Sequence, residues 1–201
     1  MPVVFFENCL LKPGDADIML WTSLKKGDRD ALGKLFSVYY PLLIKYGSKL
    51  CPDHELLEDC IQDLFADIWQ SKAGQEVESV KAYLIKALKY KIFKKQRSRM
   101  FKNLNVELPD EMAFEISPET FLVEQQENKD RVRKLIDALN QLPNRQREVI
   151  YLKIFQELSY EEVSDIMNIN YQVCRNLMSQ AIKTLRKILV IFSAFAIIPL
   201  I

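Results

Sequence analysis

Apolar residues recur every three or four positions through long stretches of this 201-residue chain, which is the spacing of one helix face. The clearest stretch follows Pro52-Asp53 and runs from Leu56 to Trp69, with polar residues on the opposite face. An earlier one starts at Ile18 and is interrupted at Gly27-Asp28, which predicts a break between two helices. Because the whole chain contains only five glycines, we expect an all-α protein.

The distribution of charge predicts two small helical domains joined by an acidic linker. Net charge is only +1, yet residues 105–130 hold eight acidic residues and one lysine, with Pro109 and Pro118 among them. The predicted divisions are a first domain at 1–103, the linker at 104–128, a second domain at 129–190 and an apolar tail at 191–201. Because the apolar end is shorter than the roughly 20 residues of a membrane span, we expect it to pack on its own domain or on a partner.

Cysteine and histidine usage argues against a hydrolase or metalloenzyme. Cys9, Cys51, Cys60 and Cys174 have no C-x-x-C spacing, and His54 is the one histidine. We therefore predict no catalytic, cofactor-binding or metal-ligating residue, no cofactor and no small-molecule substrate. The first residues lack the basic segment and cleavage site of a signal peptide, so a reduced, cytoplasmic protein is expected.

A helix predicted from Val80 to Arg99 carries eight basic residues and no acidic one. Tyr90 and Phe93 lie among the bases and off the apolar stripe. Cations suit phosphates and exposed rings stack on bases, so this helix favours nucleic-acid binding over a merely solvated basic face. The candidate residues are Lys86, Lys89, Tyr90, Phe93, Lys94 and Arg97.

The last third of the chain predicts a helix-turn-helix. Ser159-Tyr-Glu-Glu162 is a capping box that starts a short helix, and Asn168-Ile169-Asn170 forms a tight turn before a longer one. That longer helix is predicted to bury Val173, Cys174, Leu177, Met178, Ala181, Ile182 and Leu185. Its exposed N-terminal part offers residue types that contact base edges and phosphates, namely Tyr171, Gln172, Arg175, Asn176, Ser179, Gln180 and Lys183. An αα-hairpin without a DNA role is the alternative, and the lack of acidic residues after Asn170 counts against it.

These segments resemble the extracytoplasmic-function type of sigma-70 factor. The stretch from Leu139-Asn-Gln-Leu-Pro-Asn-Arg-Gln-Arg-Glu-Val149 through Leu158-Ser-Tyr-Glu-Glu-Val163 to Leu185-Arg186 is similar to region 4 of that family. Leu57-Glu-Asp-Cys-Ile-Gln-Asp-Leu-Phe-Ala-Asp-Ile-Trp69 resembles region 2.2, and Tyr83 to Arg97 occupies the place of regions 2.3 and 2.4. The chain departs from the family at Tyr90, where asparagine is common, and at Lys94, where aspartate is common.

The resemblance implies a sigma factor that binds core RNA polymerase and promoter DNA, is held by an anti-sigma factor, and catalyses no reaction. It assigns Glu58, Asp59, Gln62 and Asp63 to the clamp helices of the polymerase beta-prime subunit. It assigns the basic-aromatic helix to the −10 element and the helix from Tyr171 to the −35 element. A free-standing helix-turn-helix regulator is the alternative, although residues 1–100 suggest neither a ligand pocket nor a phosphorylation switch. We also expect the two domains to be joined flexibly and to close on each other when the protein is inactive, because the acidic, proline-containing linker lies between two basic surfaces.

Overall fold

The computed structural model describes residues 15–71, 76–102, 113–117 and 126–195, and it confirms the all-α prediction because these residues contain helices and no strand. The α-helices are α1 (Asp15–Lys25), α2 (Arg29–Gly47), α3 (His54–Ser71), α4 (Val80–Lys102), α5 (Gln126–Asn140), α6 (Asn144–Ile150), α7 (Tyr160–Met167) and α8 (Tyr171–Phe195). A π-helical turn, Tyr151–Phe155, continues α6. Cys9, most of the acidic linker and residues 196–201 of the tail lie outside the described residues.

Helices α1–α4 form an N-terminal bundle whose boundaries follow local sequence signals. The predicted break at Gly27-Asp28 is confirmed: Gly27 has φ of 88°, and the Asp28 carboxylate accepts hydrogen bonds from the backbone of the first turn of α2. Helix α2 approaches α3 closely, since a Cβ atom on Gly47 would lie 2.2 Å from Leu57 Cδ1. A side chain at Gly47 would therefore force the fully buried Leu57 side chain to move.

Helices α5–α8 form a C-terminal bundle that contains the predicted helix-turn-helix. The predicted helix from Arg145 to Phe155 is observed as α6 and its π-helical turn. The prediction that α8 buries Val173 and Ile182 is wrong, because these side chains are 41% and 36% exposed. Cys174, Met178 and Ala181 follow one line along α8 and are buried. Each residue of an α-helix is rotated by about 100° from the one before it, so Val173 and Ile182 project to opposite sides of that buried line. Neither side chain lies under α6 or α7.

The two bundles are in contact, and a short piece of the connecting chain is buried between them. Phe114 and Ile116, inside the range predicted as a linker, are 1% and 2% exposed. The Phe114 ring lies 6.1 Å from the ring of Tyr46 and 5.6 Å from that of Tyr151, which belong to opposite bundles. Residues 113–117 therefore act as a strap between the bundles, a role that the acidic composition of the stretch did not indicate.

Candidate nucleic-acid interface

Helix α4 carries all six residues predicted for nucleic-acid binding in the N-terminal bundle, and it presents them on different sides. The helix starts as predicted, with the Ser79 hydroxyl accepting a hydrogen bond from the Ala82 backbone N–H at 3.2 Å. One side of α4 faces α3, a second faces the C-terminal bundle, and a third is open to solvent. Each side has its own set of charges and partners.

The side of α4 that faces α3 is neutralised by acidic residues from that neighbouring helix. The ammonium group of Lys91 lies 2.5 Å from the Asp67 carboxylate, and that of Lys95 lies 2.7 Å from the Asp63 carboxylate. The Arg99 guanidinium lies 2.6 Å from the carboxylate of Asp53, the residue just before α3. The hydrogen bond from Lys95 holds the pKa of Asp63 below its ordinary value. Part of the basic run is thus explained by pairing between helices, which no spacing within α4 could indicate.

A second side of α4 is paired with the C-terminal bundle. Lys89 Nζ lies 2.7 and 2.9 Å from the two carboxylate oxygens of Glu148, and Lys86 Nζ lies 2.5 Å from Asp165 Oδ1. Lys81 Nζ donates to the Gln156 backbone carbonyl at 2.6 Å, and burial lowers the pKa of this lysine. Two of the six candidate residues, Lys86 and Lys89, are therefore bound to the other bundle in this arrangement.

The third side of α4 presents the two aromatic rings and the remaining cations. Tyr90 is 66% exposed and Phe93 is 42% exposed, while Lys94 and Arg97 are also exposed. Tyr90 and Phe93 border a cleft of about 450 Å³ whose opposite wall belongs to the C-terminal bundle. Exposed rings beside cations are the arrangement that the sequence predicted for holding unstacked bases.

The polar face predicted to dock on polymerase lies on the outer side of α3. Glu58 accepts a hydrogen bond from Tyr40 at 3.1 Å, and Asp59 and Asp63 both lie within ion-pair distance of Lys95. Gln62 is exposed beside them. The four side chains share one accessible surface, and the partners of three of them, Tyr40 and Lys95, belong to neighbouring helices.

The turn of the helix-turn-helix has the predicted geometry. Ser159 and Glu162 form the reciprocal capping box. The Glu162 N–H donates to the Ser159 hydroxyl at 3.1 Å, and the Ser159 N–H donates to the Glu162 carboxylate at 2.7 Å. Asn168 adopts the left-handed conformation with φ of 51°, and Asn170 Oδ1 accepts from the Val173 N–H at 3.1 Å. These local bonds fix the direction in which α8 leaves the turn.

All seven candidate residues on α8 are exposed on its N-terminal half. The Gln172 amide donates to Asn176 Oδ1 at 3.0 Å, and the Arg175 guanidinium lies 5.9 Å from the centre of the Tyr171 ring. The Tyr171 ring in turn packs edge-to-face with the Tyr160 ring of α7, at a centroid distance of 6.0 Å. These contacts lie at the surface, because the side chains of Tyr171, Gln172, Arg175 and Asn176 are all exposed.

Two features are missing from the described part of the chain. There, no group of three or more histidine, cysteine or acidic side chains is arranged to hold a metal ion. Within the same ranges, no helix is both long and apolar enough to cross a bilayer. Helix α8 extends through Phe195, so the predicted apolar tail begins as a continuation of this helix.

Three residues that matter for the contact between bundles were not predicted. Tyr46 is buried and donates a hydrogen bond to the Glu148 carboxylate at 2.8 Å. The Asp165 carboxylate forms an ion pair with Lys86. Burial raises the pKa of Tyr46 well above its ordinary value, and the neighbouring Glu148 carboxylate adds to the rise. No spacing rule links residues 102 positions apart, so the sequence held no signal for this pair.

Family comparisons match both bundles. The model described as sigma-70 region 2 matches residues 35–100, and the model described as sigma-70 region 4 matches residues 133–185. Together the two matches span more than half of the chain. No curated protein sequence matches it.

Solved structures share the fold at low sequence identity. CnrH, in complex with the cytosolic domain of CnrY, is 20% identical with a TM-score of 0.57, covering 87% of this chain and 97% of CnrH. The sigma factor RpoE, in complex with the anti-sigma factor NepR from Bartonella quintana, is 23% identical with a TM-score of 0.56, covering 78% and 95%. At these identities the likeness establishes the arrangement of helices.

The order of the two matched regions, together with the helix-turn-helix geometry of the second, defines the class. The chain belongs to the sigma-70 family and is an RNA polymerase sigma factor. It therefore binds core RNA polymerase and promoter DNA.

Proposed function

We propose that α8 reads the −35 element in the major groove. The observation that carries this proposal is the capped turn before α8, which presents Gln172, Arg175, Asn176 and Gln180 on one exposed surface. Arginine contacts guanine through two hydrogen bonds, and amide side chains contact adenine in the same way. Tyr171, Ser179 and Lys183 complete the surface as phosphate and sugar contacts.

On this proposal, α4 opens and holds the −10 element. Tyr90 and Phe93 offer stacking surfaces for unpaired bases, while Lys86, Lys89, Lys94 and Arg97 attract the backbone. Extruding a base costs a few kcal/mol, and stacking on an aromatic ring returns about 1–3 kcal/mol per base. Exposure of both rings supports this role, because buried rings would stabilise only the bundle.

The outer face of α3 is the proposed contact with the beta-prime clamp helices of polymerase. Glu58, Asp59, Gln62 and Asp63 form an acidic and polar surface, which suits a basic partner helix. We place the polymerase- and −10-binding domain at residues 1–103 and the −35-binding domain at 129–190, although helix α5 starts slightly earlier, at Gln126.

The remaining partners follow from the sigma role. We propose that the protein acts in the cytoplasm, where polymerase works, and that polymerase supplies all the chemistry while this subunit catalyses no reaction. An anti-sigma factor is proposed as its inhibitor, because the similar protein RpoE is solved with the anti-sigma factor NepR. No cofactor or small-molecule substrate is required for this function.

Two substitutions on α8 test the assignment of base and phosphate contacts. Arg175→Ala should remove about 1–3 kcal/mol of discrimination between a matched and a scrambled −35 element, because a bidentate base contact is lost. Lys183→Ala should weaken binding to both DNAs equally and reduce the salt slope by about one. Holoenzyme binding to both DNAs at several salt concentrations separates these outcomes. An equal loss on both DNAs for Arg175→Ala would make Arg175 a phosphate contact and refute its role in reading bases.

A further inference from the structure

Two side chains from neighbouring helices contact the outer face of α3, which the proposed function assigns to polymerase. Tyr40 of α2 donates its hydroxyl to Glu58 at 3.1 Å, while the Lys95 ammonium of α4 lies 2.7 Å from Asp63 and 3.9 Å from Asp59. The two contacts differ in charge. A phenol hydroxyl is neutral and does not neutralise the carboxylate, whereas an ammonium offsets the negative charge that a basic partner helix would bind.

The contact of Lys95 with the docking face is open to solvent. The hydrogen bond from Lys95 holds the pKa of Asp63 below its ordinary value. Lys95 is partly buried, but the side chains of Asp59 and Asp63 are each more than half exposed. A basic side chain of the polymerase can therefore reach both carboxylates, and it must displace Lys95 to bind them closely.

Lys91 provides an internal comparison, one turn earlier on the same side of α4. Its ammonium lies 2.5 Å from the Asp67 carboxylate, so it also joins α4 to α3. Asp67, however, is not among the four residues proposed to contact polymerase. Of these two lysines, only Lys95 therefore pairs with the docking face. Tyr90 and Phe93 lie on another side of α4, so neither lysine belongs to the proposed −10 surface.

We propose that Lys95 competes with polymerase for Asp63 and Asp59, and that this competition sets the affinity of the protein for core polymerase. In the free protein, Lys95 offsets the repulsion between two carboxylates that are four residues apart on one helix. On docking, a basic side chain of the polymerase replaces it, and breaking the internal pair offsets part of the free energy of docking. The inference rests on the proposed polymerase contact of α3, and it adds a residue of α4 that tunes this contact.

The closing experiment titrates the labelled chain with core RNA polymerase at several salt concentrations. Lys95→Met keeps the apolar stem of the side chain and removes the ammonium, so that Asp59 and Asp63 become available. We expect affinity for core polymerase to rise about three- to fivefold at low salt, the upper end for an ion pair that is open to solvent. The gain should shrink as salt rises, because salt already weakens the internal pair in the unmodified protein.

Lys91→Met is the matched control, because it removes the same group from the same side of α4. Both variants should lose a similar, small amount of stability in urea unfolding, yet Lys91→Met should leave affinity for core polymerase unchanged. Lys95→Arg keeps the charge and should keep the original affinity. Equal gains for Lys95→Met and Lys91→Met would reflect net charge alone and would overturn the inference, as would an unchanged or lower affinity for Lys95→Met.

Substitution of the carboxylates separates this inference from the proposed function. The double variant Asp59→Asn/Asp63→Asn should bind core polymerase more weakly, and adding Lys95→Met to it should give no gain. Weaker binding by the double variant, combined with no gain from Lys95→Met alone, would refute the competition and leave the proposed docking face intact. Undiminished binding by the double variant would instead remove both carboxylates from the polymerase contact, and the proposed site would be wrong.

Discussion

Replacement of Phe114 by alanine tests how much the strap contributes to stability. The ring is 1% exposed and lies near Tyr46 and Tyr151, so its removal leaves a cavity between the bundles. Buried Phe→Ala changes cost about 3–5 kcal/mol from lost transfer free energy and the residual cavity.

Thermal unfolding measures this loss directly. For a chain of about 200 residues, 1 kcal/mol corresponds to roughly 2–4 °C in Tm, so Phe114→Ala should lower Tm by at least about 6 °C. Glu115→Ala is the control, because the Glu115 side chain follows Phe114 in the strap but is exposed. This substitution should change the free energy of unfolding by less than about 0.5 kcal/mol. If the two variants had the same Tm, Phe114 would not help to hold the bundles together, and the account of the strap would be wrong.

Three further outcomes follow from local bonds and titrating groups. Ser159→Ala should cost about 1 kcal/mol in urea unfolding through loss of the capping box, whereas Ser164→Ala, whose hydroxyl bonds only within α7, should cost less. Burial raises the pKa of Tyr151 to about 12, so the stability that the neutral phenol contributes is complete below pH 10 and is lost as pH rises toward 12. In a pH titration, tyrosinate absorbance from Tyr151 should therefore appear at higher pH than that of free tyrosine. The hydrogen bond from Lys95 lowers the pKa of Asp63, so the stability that the Asp63 carboxylate contributes is present above about pH 4 and is lost as pH falls through the lowered pKa. Asp63→Asn should therefore reduce the fall in the free energy of unfolding at acid pH, measured by urea titrations.

Features encoded by neighbouring residues were predictable from the sequence. Gly27-Asp28 breaks the first two helices, and the Ser159–Glu162 capping box starts α7, because each rests on bonds between residues a few positions apart. The exposed surface of α8 around Arg175 was predictable for a related reason. Cys174, Met178 and Ala181 define its buried line, and helical geometry then places the polar residues opposite.

Features that depend on distant partners were not predictable in this way. The acidic partners of Lys91 and Lys95 lie on α3, and the partner of Lys89 lies on α6, so the charge run on α4 alone overstated the number of available cations. Burial of the strap could not be predicted, because two apolar residues in an acidic, proline-containing stretch do not form a periodic pattern. Exposure of Val173 depended on how much of α8 the short α7 covers, which only tertiary packing determines.

Reconstituted transcription tests the central claim most directly. Core RNA polymerase is incubated with or without this protein on a template that carries a candidate promoter, and the run-off transcript is measured. The account predicts a transcript from one start site only when the protein is present, and its loss when the −35 element is scrambled. A protein that bound a palindromic DNA site as a dimer without polymerase, and produced no transcript with it, would contradict the sigma assignment and favour a free-standing helix-turn-helix regulator.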